Sequence, residues 1–466
     1  AGADLGAAAK GEKQGLSLSI VTKPWIGDYD NMVKRRLIRV LVVNSKTFYF
    51  VDKGTQRGTA YDFFKTLEED INKKLKTKNV RVYVSFIPVA RDELIPYLVE
   101  GKGDIAASNL TITAERQKSV DFTDPLLTGV REIVITGPRS PKIGSLDDLA
   151  GQEIFVRKSS SYYQSLLGLN EELKKKGKAQ VVLKAAPDEL EDEDLLEMLN
   201  AGLVKILVVD SHKADFWKQI FSDIQVHPDL ALRSEGEVAW AIRKNSPQLK
   251  ATLNEFVKMH RSGTAFGNEL LRRYLKNVKY VKSATSDEEL KKFRELVAYF
   301  RKYSEQYGLD PFLVVAQGYQ ESRLDPNARS QVGALGVMQE MPATGEQMNV
   351  GDVTQTEPNI HAGTKYIRFM IDQYYKNEPM TDLNKGLFAF ASYNAGPNRL
   401  QQLRKEAAKR GLDPNIWFNN VELVVADKIG RETVQYVSNI YKYYIAYRLL
   451  NEEEAAREEA RKRFGK

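Results

Sequence analysis

Apolar and polar residues alternate in two rhythms along this chain. Up to about residue 275, short apolar and β-branched runs recur: "RLIRVLVV" (36–43), "VRVYVSFIPV" (80–89), "REIVIT" (131–136), "EIFVRK" (153–158), "VKILVVD" (204–210) and "EVAWAIRK" (237–244). Patterns with helical spacing, such as "AYDFFKTLEEDINKKL" and "DEDLLEMLNAG", lie between them. The alternation predicts α/β units with largely parallel sheets, and Gly and Pro between the runs supply the turns. Around residues 276–286 the rhythm changes. "SDEEL" reads as a capping box of Ser286 with Glu289, and from there to residue 450 only helical spacing remains. Asp310 followed by Pro311 predicts an N-cap and first helical position, and Pro326 closes the region after that helix. The organisation expected is a flexible leader over 1–35, an α/β module over 36–275, a link over 276–286, a helical module over 287–450 and a charged helical tail over 451–466. The tail's charges balance, and it suggests no function of its own.

A chain of 466 residues exceeds one hydrophobic core, so at least two domains are expected. Its composition, 42% apolar and 28% charged, excludes wholesale disorder. The net charge of +7 comes without a basic block or aromatic–basic interleaving. That favours attraction to an anionic polymer and gives no sign of a nucleic-acid partner. With no cysteine, disulfides, thiolate metal sites and thiol nucleophiles are excluded. The four histidines (His212, His227, His260, His361) show no ligand spacing, so neither a metal nor a cofactor is expected. No apolar run approaches the length that spans a membrane.

The candidate chemistry lies in "YQESRLDPNARSQVGALGVMQEMPATG" (319–345). On the helix starting at Pro311, Leu313, Gln317, Gln320, Glu321 and Leu324 share one face by the i, i+3, i+4 rule, beside a core face of Phe312, Val315, Ala316 and Tyr319. Glu321 then sits at the edge of an apolar surface near a helix C-terminus. Desolvation and the negative end of the helix dipole both favour a protonated carboxyl there, as a general acid near neutrality requires. Asp325, just before Pro326, suits a turn cap better than a second catalytic carboxylate.

"ESRLDPNARS…GALGVMQEMPATG", "ASYNAGPNRL" and "GRETVQYVSNIYKYY" resemble, in order and spacing, the successive motifs of the soluble lytic transglycosylases, which share the goose-type lysozyme fold. The resemblance covers about residues 290–450. It implies a lyase acting on peptidoglycan, with Glu321 as the single catalytic acid. Ser330 is then the loop serine, Met338 and Gln339 the glycan-contacting pair, and Tyr393, Asn394 and Tyr436 the wall near the acid. Glu340 departs from the family pattern, where an apolar residue is usual, and is expected to face solvent. In the implied reaction the sugar's own C6 hydroxyl replaces water and leaves a 1,6-anhydro ring. A hydrolytic lysozyme-like muramidase, which pairs two carboxylates, and a non-catalytic murein-binding sensor remain open at this point.

A second resemblance covers about residues 36–275. "RGTAYDFFKTLEEDI", "LVEGKGDIAASNLTITAERQKSVDFTDPLL" and "VRKSSSYY" are similar to type 2 periplasmic solute-binding proteins. It implies two lobes, 36–125 with 236–275 and 126–235, closing over a ligand. Arg116 would bind a carboxylate, with Asn109 and Thr111 beside it. Ser160 and Ser161 open a helix whose N–H groups face the same carboxylate, and Asp210 would hold an ammonium group. Pro96 and Leu127 depart from the commonest pattern. The two modules in this order resemble membrane-bound lytic murein transglycosylases. That implies a bacterial periplasmic enzyme on the inner face of the outer membrane, regulated by an amino acid, stem peptide or muropeptide.

Overall fold

The computed structural model describes residues 17–283 and 287–464. Residues 1–16 of the expected leader, Ser286 of the expected capping box and residues 465–466 of the tail lie outside them. The rest of the leader is not flexible but forms the helices Ser19–Thr22 and Tyr29–Arg35, held because Val21 and Met32 are buried and Arg39 donates to the carbonyls of Val21, Lys23 and Trp25. The α/β half contains strands β1 (Leu37–Val42), β2 (Phe50–Asp52), β3 (Thr55–Arg57), β4 (Tyr83–Pro88), β5 (Ile105–Thr111), β6 (Val120–Phe122), β7 (Leu127–Thr136), β8 (Glu153–Val156), β9 (Val182–Ala185), β10 (Ile206–Asp210) and β11 (Gln225–Arg243). The main sheet has the order β10-β7-β11-β5-β1-β4, with β6 added on β11.

The sheets are mixed, where the alternation predicted largely parallel ones. β1 pairs in parallel with β4 and β5, and β8 with β9, but β11 runs antiparallel to β5, β6 and β7, and β10 to β7. The physical reason is the course of the chain. It leaves the first lobe along β7 and returns along β11, and an outgoing and a returning strand that pair must be antiparallel. β11 belongs to both lobes: its start pairs with β7 and its end with β5 and β6.

The helical half is built around the helix Pro311–Ser322, capped by Asp310, whose Oδ1 accepts from Phe312 N at 3.0 Å. It packs on a helix of 34 residues, Arg431–Phe464. The helices Thr356–Met370 and Asp382–Ala395 complete the surroundings of the site. Their apolar faces form one cluster that also takes in Leu41, Ile87 and Leu94 of the α/β half.

The two halves are therefore joined by packing as well as by the chain. Arg36 makes a two-pronged pair with Glu422, at 2.8 and 3.2 Å. The β2–β3 hairpin reaches furthest. Tyr447 donates to the carbonyl of Gly54 at 2.6 Å, and the Tyr319 hydroxyl lies 3.2 Å from Thr55 Oγ1. Gly54 has φ +84°, and a Cβ there would sit 3.0 Å from the Tyr319 ring and 3.1 Å from Leu324, so only glycine allows this approach.

Candidate active site

The helix that begins at Pro311 ends abruptly at the acid. Arg323 and Leu324, the residues after Ser322, both adopt left-handed backbone with φ 55° and 62°. Neither is glycine, so the turn stores strain, about 1–3 kcal/mol per residue, next to the half-buried Glu321. Strain of this kind is retained where the surrounding packing imposes it. Here Leu324 is buried, and Ser322 Oγ donates to the carbonyl of Val337 at 2.8 Å, tying the helix end to the following loop.

Glu321 is held by a short hydrogen-bonded chain. Gln317 Nε2 donates to Tyr436 Oη at 3.0 Å, and Tyr436 donates to Glu321 Oε1. Tyr436 lies on the long helix and is buried. Burial raises the Glu321 pKa to about 7, against the opposing pull of the Tyr436 hydrogen bond. A carboxyl with that value keeps its proton near neutrality and can still give it up.

The loop after Glu321 is shaped by the expected site residues themselves. Ser330 Oγ accepts from Ala334 N at 2.9 Å, closing a tight turn. Gln339, in left-handed backbone, donates to the carbonyls of Gly336 at 2.8 Å and Ala328 at 3.2 Å. Met338 is fully buried, so it supports the loop from below and is not placed to touch a glycan. Its N–H is held by Asn359 Oδ1 at 2.8 Å. Asn359, which sequence reasoning missed, also donates to the carbonyls of Leu335 and Val353. Asn394 accepts from Thr433 Oγ1 at 2.6 Å, and Tyr393 lies beside the Met338 carbonyl at 2.9 Å. Asp325 accepts from Asn327 N at 2.9 Å within a turn.

Glu340 corrects an expectation. It does not face solvent: only 3% of it is exposed, and it is hydrogen-bonded to Tyr393. The loop folds back through bridges of Leu335 with Arg329 and Glu340, which turns the side chain inward. Burial raises its pKa to about 8 against the opposing pull of the Tyr393 hydrogen bond, with the Glu321 charge adding to the rise. Its departure from the family pattern was the only signal in the sequence.

In the α/β half, Arg116 is buried and donates to two carbonyls, Thr111 O at 2.7 Å and Ser159 O at 3.0 Å. Its pKa is lowered to about 10 by burial and by the nearby Arg91 guanidinium. Thr111 is thus a backbone acceptor. Asn109, in left-handed backbone, donates across the lobes to Asp210 Oδ2 at 3.1 Å, while Asp210 Oδ1 is buried without a partner. The serine hydroxyls are committed inside their lobe. Ser160 caps its helix and donates to Arg157 O at 2.8 Å, and Ser161 donates to Glu132 at 2.7 Å. Glu132 was not foreseen, although a charged residue in the apolar run "REIVIT" was a signal. The lobes are also bound by Arg91 and Glu191, paired at 2.7 Å and buried.

One consequence is a pH-dependent cost in stability. Glu321 takes up a proton on folding, because its folded value, about 7, exceeds the usual 4.5. Nothing is lost below pH 4.5, the cost grows between the two values, and it is complete above them. It amounts to about 2 kcal/mol after allowing for partial exposure. Glu321→Gln is therefore expected to be more stable than the parent at pH 8 and equal to it at pH 4.5, as read by denaturant unfolding. An equal difference at both pH values would mean that Glu321 is solvated.

Known proteins match both halves. The family model "Bacterial extracellular solute-binding proteins, family 3" matches residues 38–277, and "Transglycosylase SLT domain" matches residues 298–416. The membrane-bound lytic murein transglycosylase F of Desulfosudis oleivorans is 30% identical over 87% of this chain and 89% of its own length. The protein of that name from Pseudomonas fluorescens is 28% identical, over 88% of this chain and 84% of its own. Among solved structures, the substrate-binding protein of an amino acid ABC transporter aligns over 52% of this chain and 100% of its own, with 24% identity and a TM-score of 0.42. Since the first of these relatives is matched across both modules, in the same order and over most of its length, the chain belongs to the family of membrane-bound lytic murein transglycosylase F, whose enzymes are peptidoglycan lytic transglycosylases.

Proposed function

We propose that Glu321 serves in turn as acid and base in a reaction that consumes no water. It protonates the glycosidic oxygen between N-acetylmuramic acid and N-acetylglucosamine, and that bond breaks. The N-acetyl group stabilises the cationic sugar. The Glu321 carboxylate then takes the proton of the C6 hydroxyl as that oxygen bonds to C1 and closes the 1,6-anhydro ring. The observation that carries this reading is a half-buried carboxyl with a pKa near 7, held on Tyr436 and Gln317 at the end of a helix closed by a strained turn. Gln339, Ser330, Tyr393 and Asn394 would shape the wall along the glycan, and Tyr436 would hold the acid. Hydrolysis by the common two-carboxylate route needs a second, ionised carboxylate to activate water or act as nucleophile. The raised pKa of Glu340 speaks against its serving as one. Digested murein analysed by mass spectrometry should give muropeptides lighter by one water, with anhydro ends. Reducing ends in their place would make the enzyme a hydrolase.

The α/β module is read as the receptor of a small ligand carrying a carboxylate and an ammonium group: an amino acid, a stem peptide or a muropeptide. Arg116, whose partners are carbonyls, and the unpartnered Oδ1 of Asp210 support that chemistry. Ligand binding would regulate turnover, because the same helix carries Tyr436 and reaches the lobes. The place of action would be the periplasm, at the inner face of the outer membrane. Among the described residues, no helix is long and apolar enough to cross a membrane.

A further inference from the structure

The proposed reaction leaves one carboxyl of the cleft without a role. Around Glu340 stand Tyr393, Tyr366 from the helix Thr356–Met370, Tyr436 from the long helix and Glu321. No cation is among these groups. Among the described residues its side chain is hydrogen-bonded through Oε1, to Tyr393.

Counting hydrogens favours the protonated state. Tyr393 has a single hydroxyl hydrogen, yet its oxygen contacts two acceptors: the Met338 carbonyl at 2.9 Å and Glu340 Oε1. A carboxylate has no hydrogen to offer. Each contact is a full two-centre hydrogen bond when Glu340 is a carboxylic acid that donates to Tyr393 Oη, while Tyr393 donates to Met338; a carboxylate would leave the single hydrogen shared between two acceptors. Burial in a pocket of tyrosines acts in the same direction. A carboxylic acid kept neutral by an apolar site is a known way to build a donor.

We propose that Glu340 is a positioning residue: a neutral carboxylic acid that clamps the Met338–Gln339 loop to Tyr393 and so fixes the wall beside the acid. This rests on Glu321 being that acid. When Glu340 ionises, the clamp opens. The Tyr393 hydrogen turns to the new carboxylate, the Met338 carbonyl is released, and a negative charge appears beside Glu321.

The test compares two substitutions with an independent measurement of protonation. Glu340→Leu removes the donor and should lower kcat about tenfold, the worth of one hydrogen bond. Glu340→Gln keeps a donor without a charge and should restore kcat to within about threefold of the parent. Above neutrality the parent's rate should fall with two ionisations, near pH 7 and pH 8, and that of Glu340→Gln with one. Independently, infrared spectra at pH 7 should show a neutral-carboxyl band in Glu321→Gln that is absent from Glu321→Gln/Glu340→Gln. The proposal is overturned if Glu340→Gln loses about a hundredfold in kcat, which would mean that a carboxylate is used. It is also overturned if Glu340→Leu matches the parent, or if the band is missing. Full activity of Glu321→Gln would instead refute the reading of Glu321, and the infrared band would still report on Glu340 alone.

Discussion

Glu321→Gln is expected to bind murein as the parent does and to turn it over at least about a thousandfold more slowly, the upper part of the range for general acids. Glutamine has the shape of the protonated acid. Its amide oxygen can still accept from Tyr436, and Gln317 can still donate to Tyr436, so the wall should stay intact. What is lost is the proton for the leaving oxygen and the base for the C6 hydroxyl. Glu340 cannot substitute readily, since it is buried against Tyr393 and its pKa is higher still. Clearing of purified sacculi measures turnover, and co-sedimentation with them measures binding. Undiminished clearing would remove Glu321 from the mechanism. Normal co-sedimentation without clearing in the parent itself would favour a murein-binding sensor.

The elements that were legible in the sequence are those whose signals are local. Asp310-Pro311 fixes a helix start through its own side chain and ring, and the apolar face of that helix places Glu321 at its end. The features that were not legible depend on partners far along the chain. Nothing near "MQEMP" reveals that Tyr393 and Asn359 fold the loop over, so a lone glutamate in a loop reads as solvated. Strand direction was misjudged for a similar reason: a run such as "EVAWAIRK" records burial but not which lobe the chain comes from. The charged tail is the clearest instance. "NEEEAAREEARKRFGK" looks like a solvated helix, yet Arg457 and Ala460 are buried and Phe464 packs edge-on against Phe155, with ring centroids 4.6 Å apart. Its partners lie more than 260 residues earlier.

The same tail leads to the second large effect. The long helix holds Tyr436 against Glu321 at one end, and at the other Arg457 and Arg461 grip Asp194, with Arg457 Nε 3.5 Å from Asp194 Oδ2. Arg457 also donates to the carbonyls of Asn44 and Glu189, one in each lobe. A pocket of about 330 Å³, open in part to solvent and lined in part by Lys46, Phe50, Glu193, Phe312 and Leu450, lies beside this contact. Removing both guanidinium groups leaves Asp194 buried without its cations, at a cost of about 3–5 kcal/mol. Arg457→Ala/Arg461→Ala is therefore expected to unfold at markedly lower denaturant and to exchange the amide hydrogens of residues 451–464 faster. If a ligand of the α/β module controls the enzyme through this helix, a stem peptide should change the parent's rate on a glycan that carries no peptide. It should leave the rate unchanged in Arg116→Ala and in the double variant. A ligand can act this way only as far as it binds two arrangements of the lobes with different affinity. Tethering to stem peptides cannot operate on such a glycan, so a parent rate indifferent to added peptide would leave tethering as the module's role and refute control through the helix.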